Sequence, residues 1–247
     1  MSETRNGILI GIDDTDAPDT RGTGWRARGL SRAVRDAGYA TMGVTRHQLL
    51  VDDRIPYTSH NSSACIAVDP RADLIVLWDL ARDFLIASSE PGSDPGLCVA
   101  RCDTLPQYVV DFGRRAQNEV LTREMAEALA QEAGVRLAGL GGTCDGVIGS
   151  LAAVGLRCDG NDGRFLELGA IRDLAGIVSV AEIRSVGVDG VVDRQGKALD
   201  LSEKVETMNW VRPNLCAGSA VMVVERSKTR EGVWKPVGRD DPKHPKD

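Results

Sequence analysis

The feature that most constrains this chain is a switch from apolar to acidic residues near its start. Gly7-Ile8-Leu9-Ile10-Gly11-Ile12 has the composition of a buried strand, and Asp13-Asp14-Thr15-Asp16 follows without a break. Carboxylates at a strand end are costly unless water or a cation neutralises them. Three within four residues, at the carboxyl edge of a sheet, make an oxygen-rich position suited to Mg²⁺. Gly22-Thr23-Gly24 then opens a helix, where free backbone N–H groups favour a phosphate. Cation ligands and an anion cradle on one loop are what nucleotide-dependent chemistry needs. The competing reading is a solvated acidic turn followed by an ordinary helix cap.

The pattern beyond this loop alternates strands and helices. A helix is expected over 24–37, stopping at Gly38, with strands over 39–51 and 61–69. Residues 73–88 form an amphipathic helix capped by Asp73, and 89–96 a loop. A short strand at 97–100 precedes helices at 105–118 and 122–133, the second capped by Thr122 and closed at Gly134. After a glycine turn at 139–142 come a buried helix from 146 and strands at 165–171, 178–186 and 220–225. Two neighbouring strands within 39–69 break a strict strand–helix alternation. The fold class is therefore α/β, a mixed sheet with helices packed on it. Residues 1–225 form the domain, and 226–247, polar and rich in Pro and Lys, a loose tail.

Charge and cysteine usage narrow the partners. The 247 residues carry 30 basic and 36 acidic side chains, a net charge of −6. Seven basic and four acidic residues fall after residue 225, so the body is the more acidic part. Nucleic-acid affinity rests on basic surface, so this balance favours a small ligand, and RNA only if a partner chain supplies the binding domains. No apolar run is long enough for a membrane span, and the first apolar stretch is too short for a signal peptide. A cytoplasmic protein is expected, with a homo-oligomer left open. The six cysteines lack a CxxC pair, which argues against a zinc ribbon and for buried free thiols.

A second glycine-rich stretch, Gly139-Leu140-Gly141-Gly142-Thr143-Cys144-Asp145-Gly146-Val147-Ile148-Gly149, lacks the Gly-Lys-Ser/Thr of a phosphate-binding P-loop. Its glycines let backbone amides approach a ligand, and the helix beyond offers a positive end.

Taken with Gly11 to Asp16, this stretch resembles the kinase-like catalytic domain of the archaeal tRNA(isoleucine) agmatinylcytidine synthetases, the TiaS family. That family opens with a strand running into G-I-D-D-T-D-S. Its R-L-N-P-x-I-P-Y-K-T-R-G-N-G-A is similar to the segment from Ile55-Pro56-Tyr57 to Ala64, its N-P-G to Asp94-Pro95-Gly96, and its G-R-G-L-I-G-A-L-A-A-x-G to Cys144 through Gly155. Its late P-N-T-P-C-P-V-L is echoed from Pro213-Asn214 to Val221. Two family segments differ in charge. Thr58, Ser59 and His60 stand where the family has K-T-R, and Asp145 stands where it has Arg.

The resemblance implies ATP and Mg²⁺ as cofactors and activation of an acceptor by phosphoryl transfer. Carried over by position, Asp13, Asp14 and Asp16 hold metal and orient phosphates, and Thr23 falls where the family has a threonine that accepts phosphate. Thr15, Gly22, Gly24, Gly141, Gly142, Gly146 and Gly149 are the nucleotide-binding candidates, and His60 is the acid/base candidate. The expected function is an ATP/Mg²⁺-dependent phosphotransferase acting on a carbonyl or hydroxyl of a small substrate, without the family's tRNA-binding domains. Two alternatives stay open: the catalytic subunit of a split tRNA-cytidine-modifying enzyme, and a non-catalytic nucleotide- or metal-sensing module.

Overall fold

The computed structural model describes residues 7–56, 61–209 and 211–237. In chain order the elements are β1 (Ile8–Asp13), α1 (Thr23–Asp36), β2 (Thr41–Gln48), β3 (Ser62–Val68), α2 (Leu74–Ser88), β4 (Gly96–Arg101), α3 (Gln107–Ala116), α4 (Arg123–Ala133), β5 (Arg136–Gly139) and α5 (Gly146–Asp159). There follow β6 (Arg164–Glu167), β7 (Ile177–Ser179), α6 (Val180–Ser185), β8 (Gly190–Asp193), β9 (Lys204–Glu206), β10 (Asn214–Cys216), β11 (Ser219–Arg226) and β12 (Val233–Pro236). Among the described residues twelve strands join one sheet in the order β5-β4-β1-β3-β2-β6-β10-β11-β12-β9-β7, with β8 beside β11. The sheet is mixed: the β8–β11 and β9–β12 pairs are parallel, and the other paired strands are antiparallel.

β1 lies inside this sheet, with Ile12 opposite Ala64 of β3 and Leu97 of β4. Its alternation builds two cores. Ile8, Ile10 and Ile12 face α1 and α2, packing with Leu30, Leu77 and Leu85, while Leu9 faces α3 and α5, packing with Phe112 and Leu151. Each such side chain taken fully out of water contributes roughly 1.5–3 kcal/mol. Gly11 shares the Leu9 face, and a Cβ there would stand 2.1 Å from the Ser150 carbonyl oxygen. The missing side chain is what seats α5 directly on β1. A third core under β6 to β12 gathers Phe165, Ile183, Val205, Met222 and Val224.

Local signals set most boundaries as expected. Asp73 accepts hydrogen bonds from the Ile75 and Val76 amides at the start of α2, and Thr122 from Met125 at the start of α4. Gly134 closes α4 in the left-handed conformation. At the β2–β6 join, buried His47 bonds Asp162 through Nδ1 and Thr45 Oγ1 through Nε2, each at 2.8 Å. Among the described residues no helix is long and apolar enough to cross a membrane.

Four expectations need correction. The strand proposed over 178–186 ends at Ser179, because Ser179 and Glu182 exchange the two hydrogen bonds of a capping box and start α6. The strand proposed over 165–171 stops at Glu167. The tail is not loose throughout: β12 pairs with β11 and β9, Trp234 is buried, and its indole N–H reaches Glu203 at 2.9 Å. One aromatic supplies the burial that the polar composition around it conceals. Finally, of the expected free thiols, Cys65 and Cys98 are free and buried, but Cys102 and Cys158 form a disulfide. Packing of α5 against the turn after β4 brings their Cα atoms to 5.5 Å, across 56 residues of sequence. A bond closing a loop of that length is worth about 4 kcal/mol in the chain-entropy account. Cys158→Ser, or reduction of the wild type, is expected to lower stability by about that much. Denaturant unfolding with and without dithiothreitol measures it, and coincident curves would show the two thiols unpaired.

Candidate functional site

At the carboxyl end of β1 a cleft of about 330 Å³ opens between the acidic loop, the start of α5 and the region from Leu121 to Glu124. The strand's alternation sends Asp13 to the same face as Leu9 and Gly11, toward α5. There it meets Gly149, where a Cβ would lie 1.7 Å from Asp13 Oδ2. Asp14 turns the chain with a left-handed backbone, φ 49°, a conformation Asp and Asn tolerate better than most residues.

Asp16 folds the loop back onto α1. Its Oδ1 accepts hydrogen bonds from the Thr23 amide at 3.1 Å and the Thr23 hydroxyl at 2.8 Å. It therefore satisfies a free N–H at a helix start whose N-cap, Gly22, has no side chain to do so. The Thr23 hydroxyl also accepts from Thr15, from its amide at 3.4 Å and its hydroxyl at 3.3 Å.

The glycine segment is brought to the cleft by a different residue, Asp94. Its carboxylate accepts from the Thr143 amide and, at 2.6 Å, from the Thr143 hydroxyl. The Leu140 amide donates to the Pro95 carbonyl at 2.7 Å. Any side chain at Gly142 would collide with Asp94, its Cβ falling 1.4 Å from Oδ1. This clasp sets α5 so that Asp145, Gly146, Ile148 and Gly149 line the cleft.

The electrostatics are one-sided. Asp13, Asp14, Asp16, Asp94 and Asp145 all line the cleft, against Arg54 and Arg123. Burial, reinforced by the charge of Asp14, pushes the Asp13 carboxyl up to about 8. Burial and the charges of Asp94, Asp16 and Asp145 push Asp14 up to about 6. As the side chains stand, no three of the described His, Cys, Asp or Glu residues converge on a single metal position.

These shifts give stability a defined pH dependence. Both pKa values lie above those of an unfolded chain, near 4. Between about pH 4 and pH 8 the folded state thus holds more protons, and stability from these groups falls as pH rises. The melting temperature of the EDTA-treated protein is expected to drop from pH 5 to pH 8, with a shallower slope in Asp13→Asn. Equal slopes in the two proteins would show that Asp13 does not carry the effect.

No protein-family model matches the chain, and no curated protein does. Solved structures do match. A tRNA fluorescent labeling enzyme superposes with a TM-score of 0.54 at 25% identity, over 60% of this chain and 36% of that one. A complex of TiaS with an isoleucine tRNA and ATP gives 0.54 at 24%, over 61% and 36%. A complex of TiaS with the same tRNA, AMPCPP and agmatine gives 0.53 at 22%, over 60% and 36%. The fold is TiaS-like. This chain spans about a third of the length of those proteins.

Within the TiaS-like domain, Asp13, Asp14, Asp16, Thr23, Gly146 and Gly149 line one cleft, although 123 residues separate Thr23 from Gly146. The other nucleotide-binding candidates do not line it. Thr15 is buried behind Thr23, Gly22 is exposed at the helix start, and Gly24 backs onto Leu166. Gly141 and Gly142 are taken up by the clasp with the Asp94 turn. His60 lies outside the described residues.

Several lining residues escape the sequence reading, namely Asp94, Arg54, Arg123 and the apolar Leu49, Ile55 and Leu121. Of these Asp94 and Ile55 carried a signal, as parts of Asp94-Pro95-Gly96 and of the segment that begins Ile55-Pro56-Tyr57. The arginines close to the acidic loop in sequence are engaged elsewhere. Arg26 is buried on Glu90 at 2.8 Å, and Arg21 stacks on Trp25.

Proposed function

We propose that this chain binds ATP with Mg²⁺ in the Asp13–Thr23 cleft and transfers a phosphoryl group to a carbonyl or hydroxyl of a small acceptor. The observation that carries this reading is the meeting, in one cleft of a TiaS-like fold, of an acidic loop and the N-terminus of α5. Phosphoryl transfer needs charge neutralisation and positioning more than a protein nucleophile. ATP as the nucleotide is supported by the TiaS complex solved with it.

The donor set fits a hard dication. Mg²⁺ keeps several waters and is held by one or two carboxylates plus substrate phosphates, so a site without three converging ligands suits it. Burial first, and then the neighbouring carboxylates, raise Asp13 and Asp14, and a bound cation would offset both effects and polarise the phosphate oxygens. Asp13 and Asp14 are the residues that would hold it. Asp16 orients Thr23, whose amide and hydroxyl it holds at 3.1 and 2.8 Å. The Gly146 end of α5 offers amides and the helix dipole to a phosphate, and Gly149 leaves room for Asp13.

A second reading, the catalytic subunit of a split tRNA-modifying enzyme, is favoured by the tRNA in the TiaS complexes. Calorimetric titration of ATP with Mg²⁺ and with EDTA tests the shared part, and saturable binding only with Mg²⁺ is expected. Absence of binding in both conditions would overturn the proposal. ATP turnover that requires added tRNA and a partner chain would select the second reading.

A further inference from the structure

Helix α2 is apolar on more sides than the fold uses. Eleven of its 15 residues are apolar, yet only Leu77, Ala81 and Leu85 are buried, in the core where α2 packs on α1 and β4. A helix that is hydrophobic all round is ordinarily covered all round. Here Ile75 and Ile86 are 56% and 62% exposed, and Val76 is exposed beside them. Exposed apolar residues scattered singly need no explanation, but several along one helix face mark an interaction surface.

That face has an order. Ile75, Asp79, Arg82 and Ile86 follow one another at helical spacing and form one ridge, apolar at both ends and charged in the middle. The ridge is complementary to its own reverse. When two α2 helices lie antiparallel about a two-fold axis between Leu80 and Ala81, Ile75 of each copy meets Ile86 of the other, and Asp79 of each meets Arg82 of the other. A slide of one residue in one direction sets Asp79 against Asp83. In the other direction it sets Asp79 against Ala81 and Arg82 against Trp78.

We propose that the Ile75–Ile86 ridge of α2 is the contact face of a symmetric homodimer, paired in that one register. No charge has to be free for this. Within one copy Arg82 already holds Asp79 and Asp83, each at 3.0 Å, and the two-fold axis closes the Asp79–Arg82 pairs of both copies into a ring of alternating sign. Exposed ion pairs contribute little affinity, so the isoleucines drive association and the charges fix the register. A helix of 15 residues is about 22 Å long, and one helix pair of that length is a small interface. The dimer is therefore a weak one, in the micromolar range.

Sedimentation equilibrium of the full chain, from about 5 to 500 µM, tests the proposal, and the wild type is expected to pass from monomer to dimer over that range. Ile86→Lys is expected to weaken the dimer at least about tenfold. Asp79→Arg sets arginine against arginine and should weaken it likewise. The double variant Asp79→Arg/Arg82→Asp restores opposite signs across the axis and should recover wild-type association to within about threefold. Thermal unfolding checks that each variant keeps its fold, as substitutions on an exposed helix face should. A chain that stays monomeric leaves this face to some other partner and overturns the proposal. So does a dimer that Ile86→Lys leaves unchanged, or a double variant that associates no better than Asp79→Arg.

Discussion

Asp14→Asn is expected to weaken Mg²⁺-dependent ATP binding by at least about a hundredfold, close to 3 kcal/mol, while the protein stays folded. The substitution takes one oxygen ligand from the cleft without changing its shape. Asn is among the residues that accept the left-handed backbone found at position 14, φ 49°, so the turn after β1 is retained. Stability should hold or rise. Asp14 is pushed up to about 6 by burial and by the carboxylates of Asp94, Asp16 and Asp145, and a neutral amide removes that repulsion at pH 7.5 and above. Titration calorimetry and thermal unfolding of the same preparation separate the two effects. Wild-type ATP affinity in a folded Asp14→Asn protein would remove this carboxylate from the site.

Gly149→Ala is expected to lower Mg²⁺–ATP affinity more than tenfold, at a stability cost of about 1–3 kcal/mol. The added methyl would lie 1.7 Å from Asp13 Oδ2 and 2.5 Å from its Cγ, so the carboxylate must swing out of its place. Gly11→Ala is the control for overpacking elsewhere along the same β1–α5 contact. Its Cβ meets the Ser150 carbonyl oxygen at 2.1 Å and Val154 Cγ2 at 2.9 Å, so backbone has to move. That variant should be the less stable of the two, by about 3 kcal/mol or more relative to wild type. Denaturant midpoints rank the stabilities, and nucleotide titration reads the site. If Gly149→Ala binds like wild type, the Asp13 carboxylate is not working from the position it holds here.

Where the sequence succeeded, the signal was local. The apolar run before Asp13 identified β1, Asp73 and Thr122 marked helix starts, and Gly134 marked an end. Each rests on interactions within a few residues, which composition and spacing record directly. Where it failed, a local signal was passed over or distant partners decided. Residues 178–186 carry Ser179 and Glu182 three apart, a capping box inside an apolar run that resembles a strand, and it starts α6, with Ile183 packed in the third core. Trp234 looks like part of a polar tail until β11 and β9 receive it. The Cys102–Cys158 bond spans 56 residues and has no signature at either end.

The candidate site divides along the same line. The sequence by itself determined that a buried strand would deliver three carboxylates and a helix start to one place, because neighbouring residues on a strand and its following loop cannot be far apart. Only the tertiary structure decided which face Asp13 takes toward α5, that Asp94 would clasp the glycine segment, and that Gly146 rather than Gly141 or Gly142 would line the cleft. It also decided that Arg54 and Arg123, not Arg26, would be the cations there. Those outcomes depend on contacts across tens of residues. The energy of a contact is fixed by what lies on its other side, and no single stretch of chain specifies that.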